Sequence, residues 1–194
     1  MKTAVLGFFF LAGVVGFGHA QEAERWVLLR ESWVEVSGTS NVNTFTCMIS
    51  HPLNMQYLTE RVSGSTASFA GTILLVVDAF DCGNQVMNRD FTRTLKQDEY
   101  PHIALRLIGM RGDRTNLGVR VLEGEVEIEI AGVNHRLVMR CTLEDLRYGR
   151  RRIRGAVDLR FSDFGLEPPR RALGLVRVEN DISVEFSLLM EKTD

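Results

Sequence analysis

Glu125-Val126-Glu127-Ile128-Glu129-Ile130 alternates acid and aliphatic at every position. Side chains on a strand project to opposite faces in turn, so this period of two marks a strand with one wet and one buried face. The pattern recurs outward along the chain. Ile153, Val157, Leu159 and Phe161 alternate with Arg152, Arg154, Asp158 and Arg160, and Val184, Phe186 and Leu188 alternate with Ser183, Glu185 and Ser187. Further strands are expected from Trp26 to Val36, Asn41 to Ile49, Phe69 to Phe80, His102 to Gly109, Leu117 to Val121 and Arg136 to Leu143. Turn chemistry separates them at Gly112-Asp113, Glu123-Gly124, Gly132-Val133-Asn134 and Tyr148-Gly149, and Ser63 to Ser68 reads as an exposed loop. About eight or nine strands with turns between them predict an all-β barrel or sandwich.

One helix is expected between Asn88 and Lys96, with Asn88 as its cap and Asp90 near its positive end. Met87, Phe91 and Leu95 fall on one side at four-residue intervals, so the helix can lie on the barrel. Ser162 to Pro169 is expected to be a loop crossing the end of the sheet, because adjacent prolines remove two backbone donors.

The first 20 residues have the form of a cleavable signal peptide: Lys2, an uncharged apolar run from Ala4 to Phe17, then Gly18-His19-Ala20. The run is short of the roughly 20 residues that span a bilayer, so no membrane segment is expected after cleavage. Residues 21–194 then form one domain beginning at Gln21. Without Lys2, 22 basic residues face 25 acidic ones, a formal charge of −3, which argues against a nucleic-acid partner.

Catalytic constellations are missing from the sequence. His51, His102 and His135 form no HxxxH or HExxH pair, and there is neither a G-x-S-x-G elbow nor a phosphate-cradling loop. No catalytic residue and no metal site are expected. Arg150-Arg151-Arg152 with Arg154 is the densest positive run. It reads as a solvated turn and edge strand, with an anionic headgroup or acidic partner as the functional alternative.

Two longer motifs carry a resemblance. They are Gly38-Thr39-Ser40-Asn41-Val42-Asn43-Thr44-Phe45-Thr46-Cys47, and Phe80-Asp81-Cys82-Gly83-Asn84 followed by Met87-Asn88-Arg89-Asp90 and Tyr100-Pro101. With Trp33, Phe69 and Gly71, Ile130-Ala131-Gly132-Val133, Asp163-Phe164-Gly165-Leu166 and Asp181-Ile182-Ser183-Val184 in order, the chain resembles the YceI-like family from about Trp33 to Leu188. The cysteine-bearing form looks like a branch found in extracytoplasmic proteins of Bacteroidetes-type bacteria. The resemblance implies an extended antiparallel, lipocalin-like β-barrel of about eight strands with one short helix and lid loops. Its apolar channel would hold a polyisoprenoid chain such as an isoprenoid quinone tail, often in a periplasmic dimer, with no other cofactor. The apolar phases nominate as its lining Phe45, Val76, Phe80, Ile103, Leu105, Leu107, Ile128, Met139, Val157, Leu159, Val184 and Phe186.

Each motif also places a cysteine at the end of an apolar strand pattern in an exported chain. A disulfide between Cys47 and Cys82 is therefore expected, although spacing alone cannot fix connectivity. Cys141 is left over, in phase with Leu137 and Met139, as a buried small hydrophobe.

The leading expectation is a non-enzymatic periplasmic or secreted protein that stores or carries an isoprenoid-like or other long-chain lipid. The alternative is a packed barrel that binds another envelope protein through the Arg150 cluster and the loop from Leu53 to Val62, with Met55, Tyr57 and Leu58 exposed. A thiol oxidoreductase using Cys47 and Cys82 is disfavoured, since no C-x-x-C motif is present.

Overall fold

The computed structural model describes residues 23–50, 56–113 and 118–193. The expected signal peptide, its cleavage site, His51 and Met55 lie outside them. The strands are β1 (Ala23–Leu28), β2 (Trp33–Ser40), β3 (Thr44–Ser50), β4 (Tyr57–Ser63), β5 (Thr66–Val76), β6 (His102–Asp113), β7 (Val119–Ile130), β8 (Val133–Asp145), β9 (Arg150–Arg160), the two-residue β10 (Arg170–Arg171) and β11 (Val176–Lys192). A helix, α1 (Gln85–Thr94), separates β5 from β6. Every ladder is antiparallel, and the order β1-β4-β5-β6-β7-β8-β9-β11 returns to β1, closing an eight-membered ring. The expected all-β barrel is the fold.

β1 and β2 lie end to end along β11, where one unbroken strand from Trp26 to Val36 was expected. The break follows Leu29, whose N–H donates to the Leu189 carbonyl at 2.8 Å. Ser32 bridges the gap: its hydroxyl donates to the Leu189 carbonyl and accepts the Leu189 N–H at 3.0 Å. β4 continues the sheet from β1, and β3 continues it from β2. Among the described residues no ladder joins β3 to β5. Instead Gln56 binds the free edge of β5, its side chain pairing with both the N–H and the carbonyl of Leu74 at 2.7 and 2.8 Å.

Several turn assignments move for physical reasons. Glu123-Gly124 is not a turn, because β7 runs through it. A Cβ on Gly124 would stand 2.3 Å from the Gly109 carbonyl oxygen, so the glycine serves a close strand approach where β6 bulges. Gly112-Asp113 belongs to β6. Ser63 to Ser68 is no loop but a hairpin in which Ser63 pairs with Thr66 around Gly64 at φ 58°. Ser162 to Pro169 begins as a short 3-10 helix, Phe161–Phe164, which buries Phe164 and, beyond it, Leu166.

The end of the barrel holding the β4–β5 hairpin is solidly packed by Leu58, Phe69, Met110, Leu122, Leu143 and Met190, each 2% exposed or less. Burying each such side chain contributes about 1.5–3 kcal/mol. Below them lies a charged floor. Glu60 is wholly buried and accepts from Trp26 Nε1 at 3.1 Å and from Arg151 Nη1 at 2.6 Å. Arg151 also donates to Asp145, which Arg120 holds through both carboxylate oxygens at 2.7 Å. The Arg151 guanidinium sits over the Trp26 ring, 4.2 Å from its centroid. The arginine run is therefore not an edge, since β9 is paired on both sides, and Arg151 points inward, while Arg154 stays exposed as expected.

Candidate functional site

Above the packed half, the inward faces of the strands diverge around a cavity of about 370 Å³. Two devices hold it open. A Cβ on Gly155 would meet the Phe186 ring at 2.5 Å, and a Cβ on Gly38 would meet the Phe45 ring at 2.5 Å. Both are direct cross-strand pairs, so each ring lies over its partner glycine instead of filling the channel.

The wall between β3 and the upper half of β5 is supplied by α1. The Cys47–Cys82 disulfide ties β3 to the segment before the helix. A backbone bridge beside it pairs Met48 with Asp81 through two hydrogen bonds of 2.9 Å. The helix starts earlier than expected: Asn84 is the cap, accepting the Met87 N–H at 2.9 Å. Asn88 has a different task, accepting the Cys82 N–H at 2.7 Å and so bracing the disulfide loop against the helix. The four-residue spacing of Met87, Phe91 and Leu95 turns all three into the cavity, and Phe80 packs on Phe91 with ring centroids 4.9 Å apart.

Of the residues nominated from sequence, Phe45, Phe80, Ile103, Leu105, Ile128, Met139, Val157, Leu159, Val184 and Phe186 face this cavity. Leu107 points to the packed half, lining a gap of about 10 Å³ beneath it. Val76 lies out of phase: the inward positions of β5 are Ile73 and Leu75, and the unbroken apolar run Ile73-Leu74-Leu75-Val76-Val77 gives no alternation to read. The cavity floor and wall are apolar, and its few polar lining residues are Ser40, Asn43, Asp90, Thr94 and Arg171.

Solved structures share this architecture. A polyisoprenoid-binding domain from Saccharophagus degradans superposes with a TM-score of 0.64 at 13% identity, covering 87% of this chain and 98% of its own. Burkholderia cenocepacia BcnA gives a TM-score of 0.60 at 13% identity, covering 81% of this chain and 95% of its own. The fold is YceI-like. A YceI protein from Campylobacter jejuni is also matched, at 11% identity and a TM-score of 0.48, over 100% of this chain and 99% of its own. No protein-family model matches the sequence, and no curated protein matches it.

In this YceI-like barrel the mouth is crossed by an ion pair that sequence reading missed. Arg171, on β10, donates through Nε to Asp90 of α1 and through Nη2 to the Val86 carbonyl at 2.9 Å. The hydrogen-bonded carboxylate raises the pKa of the guanidinium above its already high ordinary value. No local motif signals the pair, because its partners are 81 residues apart. Cys141 is buried as expected, and burial pushes its thiol up to about 12. His135 packs edge-on to Phe164, and His102 is exposed at the start of β6. Among the described residues no helix is long and apolar enough to cross a membrane.

Proposed function

We propose that the protein is a non-catalytic extracytoplasmic carrier or store that holds an isoprenoid-like or other long-chain lipid in the barrel cavity. The observation that carries this reading is a 370 Å³ cavity with an apolar wall, within the range of about 300–1,000 Å³ usual for small-molecule sites. Each CH₂ transferred from water to such a wall contributes about 0.8 kcal/mol, so a slender hydrocarbon binds tightly with few polar contacts. The polyisoprenoid named for the Saccharophagus domain is supporting chemistry for the same barrel. The Cys47–Cys82 disulfide supports an oxidising compartment, and the leader-like first 20 residues support export to the periplasm or beyond.

The packed-barrel alternative asks for Leu58 on the surface, whereas it is wholly buried in β4. Native mass spectrometry of protein purified from a bacterial periplasm, followed by organic extraction, tests the carrier reading and reports any homodimer in the same spectrum. A stoichiometric long-chain lipid is expected. An empty protein that also refuses added isoprenoid quinone would return the reading to an interaction module.

A further inference from the structure

Leucines stand bare at the open end of the barrel. The hairpin joining β10 to β11 reads Arg170-Arg171-Ala172-Leu173-Gly174-Leu175-Val176-Arg177. Leu173 at its tip is fully exposed, and Leu175 is 75% exposed. Leu173 also sits at φ 56°, a left-handed conformation that asparagine or glycine adopts with less strain. Folding therefore supplies no reason for leucine there.

Hydrogen bonds gather other exposed aliphatics around the same tip. Asn41 donates through its side chain to the Leu175 carbonyl at 2.8 Å, which sets Val42 beside the hairpin, 63% exposed. Arg171 donates to the carbonyl of Val86, which is 48% exposed on α1. Val42, Arg171 and Val176 line the cavity as well, so the apolar rim and the mouth are one surface.

Apart from Asp90, which is paired with Arg171, the charge gathered around the hairpin is positive. Arg170 and Arg177 face each other directly across the β10–β11 ladder, a like-charge pair that is unfavourable by itself. Neither has an acidic partner among the described residues. Three arginines and no acid lie between Glu167 and Glu179. On α1, Arg89 and Arg93 follow Val86 at i+3 and i+7, on its exposed face. Aliphatic tips set among guanidiniums match the boundary of an anionic bilayer, where leucines bury among acyl chains and arginines bind phosphates.

We propose that the 170–177 hairpin, with Val42 and Val86 beside it, docks the open end of the barrel on an anionic phospholipid bilayer and turns the cavity mouth toward its source of lipid. The docking deepens the carrier reading and rests on it for what passes through the mouth, but adhesion to the bilayer is measured separately from cargo. The test is flotation with vesicles of phosphatidylglycerol and phosphatidylethanolamine, comparing the exported wild-type chain with L173N/L175N and R170Q/R177Q, alongside uptake of geranylgeraniol from vesicle-free solution. The expected result is that L173N/L175N floats at least tenfold less than wild type while its thermal midpoint and geranylgeraniol uptake are unchanged. R170Q/R177Q should lose most of the preference for these vesicles over vesicles of phosphatidylethanolamine and phosphatidylcholine, run as the uncharged control. A wild-type chain that takes up geranylgeraniol but does not float overturns the docking and leaves the carrier reading intact, as does equal flotation of wild type and L173N/L175N. Hairpin-dependent flotation without geranylgeraniol uptake upholds the docking and fails the carrier reading.

Discussion

Glu60 shows how much one side chain can carry in this barrel. Its carboxylate sits at zero exposure, held by Trp26 and Arg151, with the Glu24 carboxyl beside it. Removing the arginine leaves a buried charge uncompensated, which costs about 3–5 kcal/mol. Arg151→Met should lower stability by about that amount in urea unfolding, and adding Glu60→Gln should recover most of it, because the amide oxygen can still accept from Trp26. No recovery would mean that the stacking of Arg151 on Trp26, not the charge, dominates. Cys141 is the opposite case, a reactive group made inert. With its thiol at about 12, only roughly one molecule in ten thousand carries thiolate at pH 8. A thiol-specific reagent should leave it unlabelled in the folded protein at pH 8 and label it within minutes in denaturant. Fast labelling of the native state would disprove its burial.

At the level of elements, the barrel is finished by side chains and covalent bonds where its ladders stop. Ser32 bridges β1 and β2, Gln56 dresses the edge of β5, and the disulfide fixes α1 as the missing piece of wall. The bond closes a separation of 35 residues, for which a cross-link contributes about 2–4 kcal/mol. C47S/C82S should lose that much stability, and hydrogen exchange should speed up first in β3 and α1, while β6 to β9 stay protected. At the other end, the Lys192 ammonium bonded to Glu24 ties β11 to β1 and holds that carboxyl below its ordinary value of 4.5. Its contribution is complete above that ordinary value and is lost as pH falls through the lowered folded one. Being partly exposed, the pair contributes only about 0.2–1 kcal/mol. Between pH 6 and pH 3, Lys192→Met should therefore lose slightly less stability than wild type.

For the whole molecule the decisive property is a hollow upper half on a packed lower half. Val157 and Val184 are direct cross-strand partners, both half-buried and both facing the cavity. Enlarging them to phenylalanine in V157F/V184F fills void instead of displacing packed atoms. Lipid uptake should fall at least tenfold while the midpoint of thermal unfolding holds or rises. Gly155→Ala acts in reverse: its methyl group collides with the Phe186 ring and should cost about 1–3 kcal/mol as an overpacked site. Retained uptake in V157F/V184F would place the lipid elsewhere.

The strand phases were legible because alternation is a local property. Glu125 to Ile130 and Ser183 to Leu188 state in their own residues which face turns inward, and ten cavity-facing positions could be named from such patterns, although Glu127 and Ser187 on the expected wet face are buried too. Phase was lost where locality fails: in the apolar run around Val76, in the helix start that Asn84 took from Asn88, and in Gly124, whose partner is the carbonyl of Gly109 on the neighbouring strand. Whether the barrel is full or hollow was not written in any segment. It follows from how far apart closed strands stand and from rings laid over glycines across a ladder. The Asp90–Arg171 pair at the mouth and the Glu60–Arg151 pair at the floor likewise exist only once chain closure brings residues 81 and 91 positions apart into contact. Sequence determines which side of each strand seeks burial, because that is a preference of single residues. Tertiary structure decides what that burial encloses, because enclosed volume belongs to the assembled sheet.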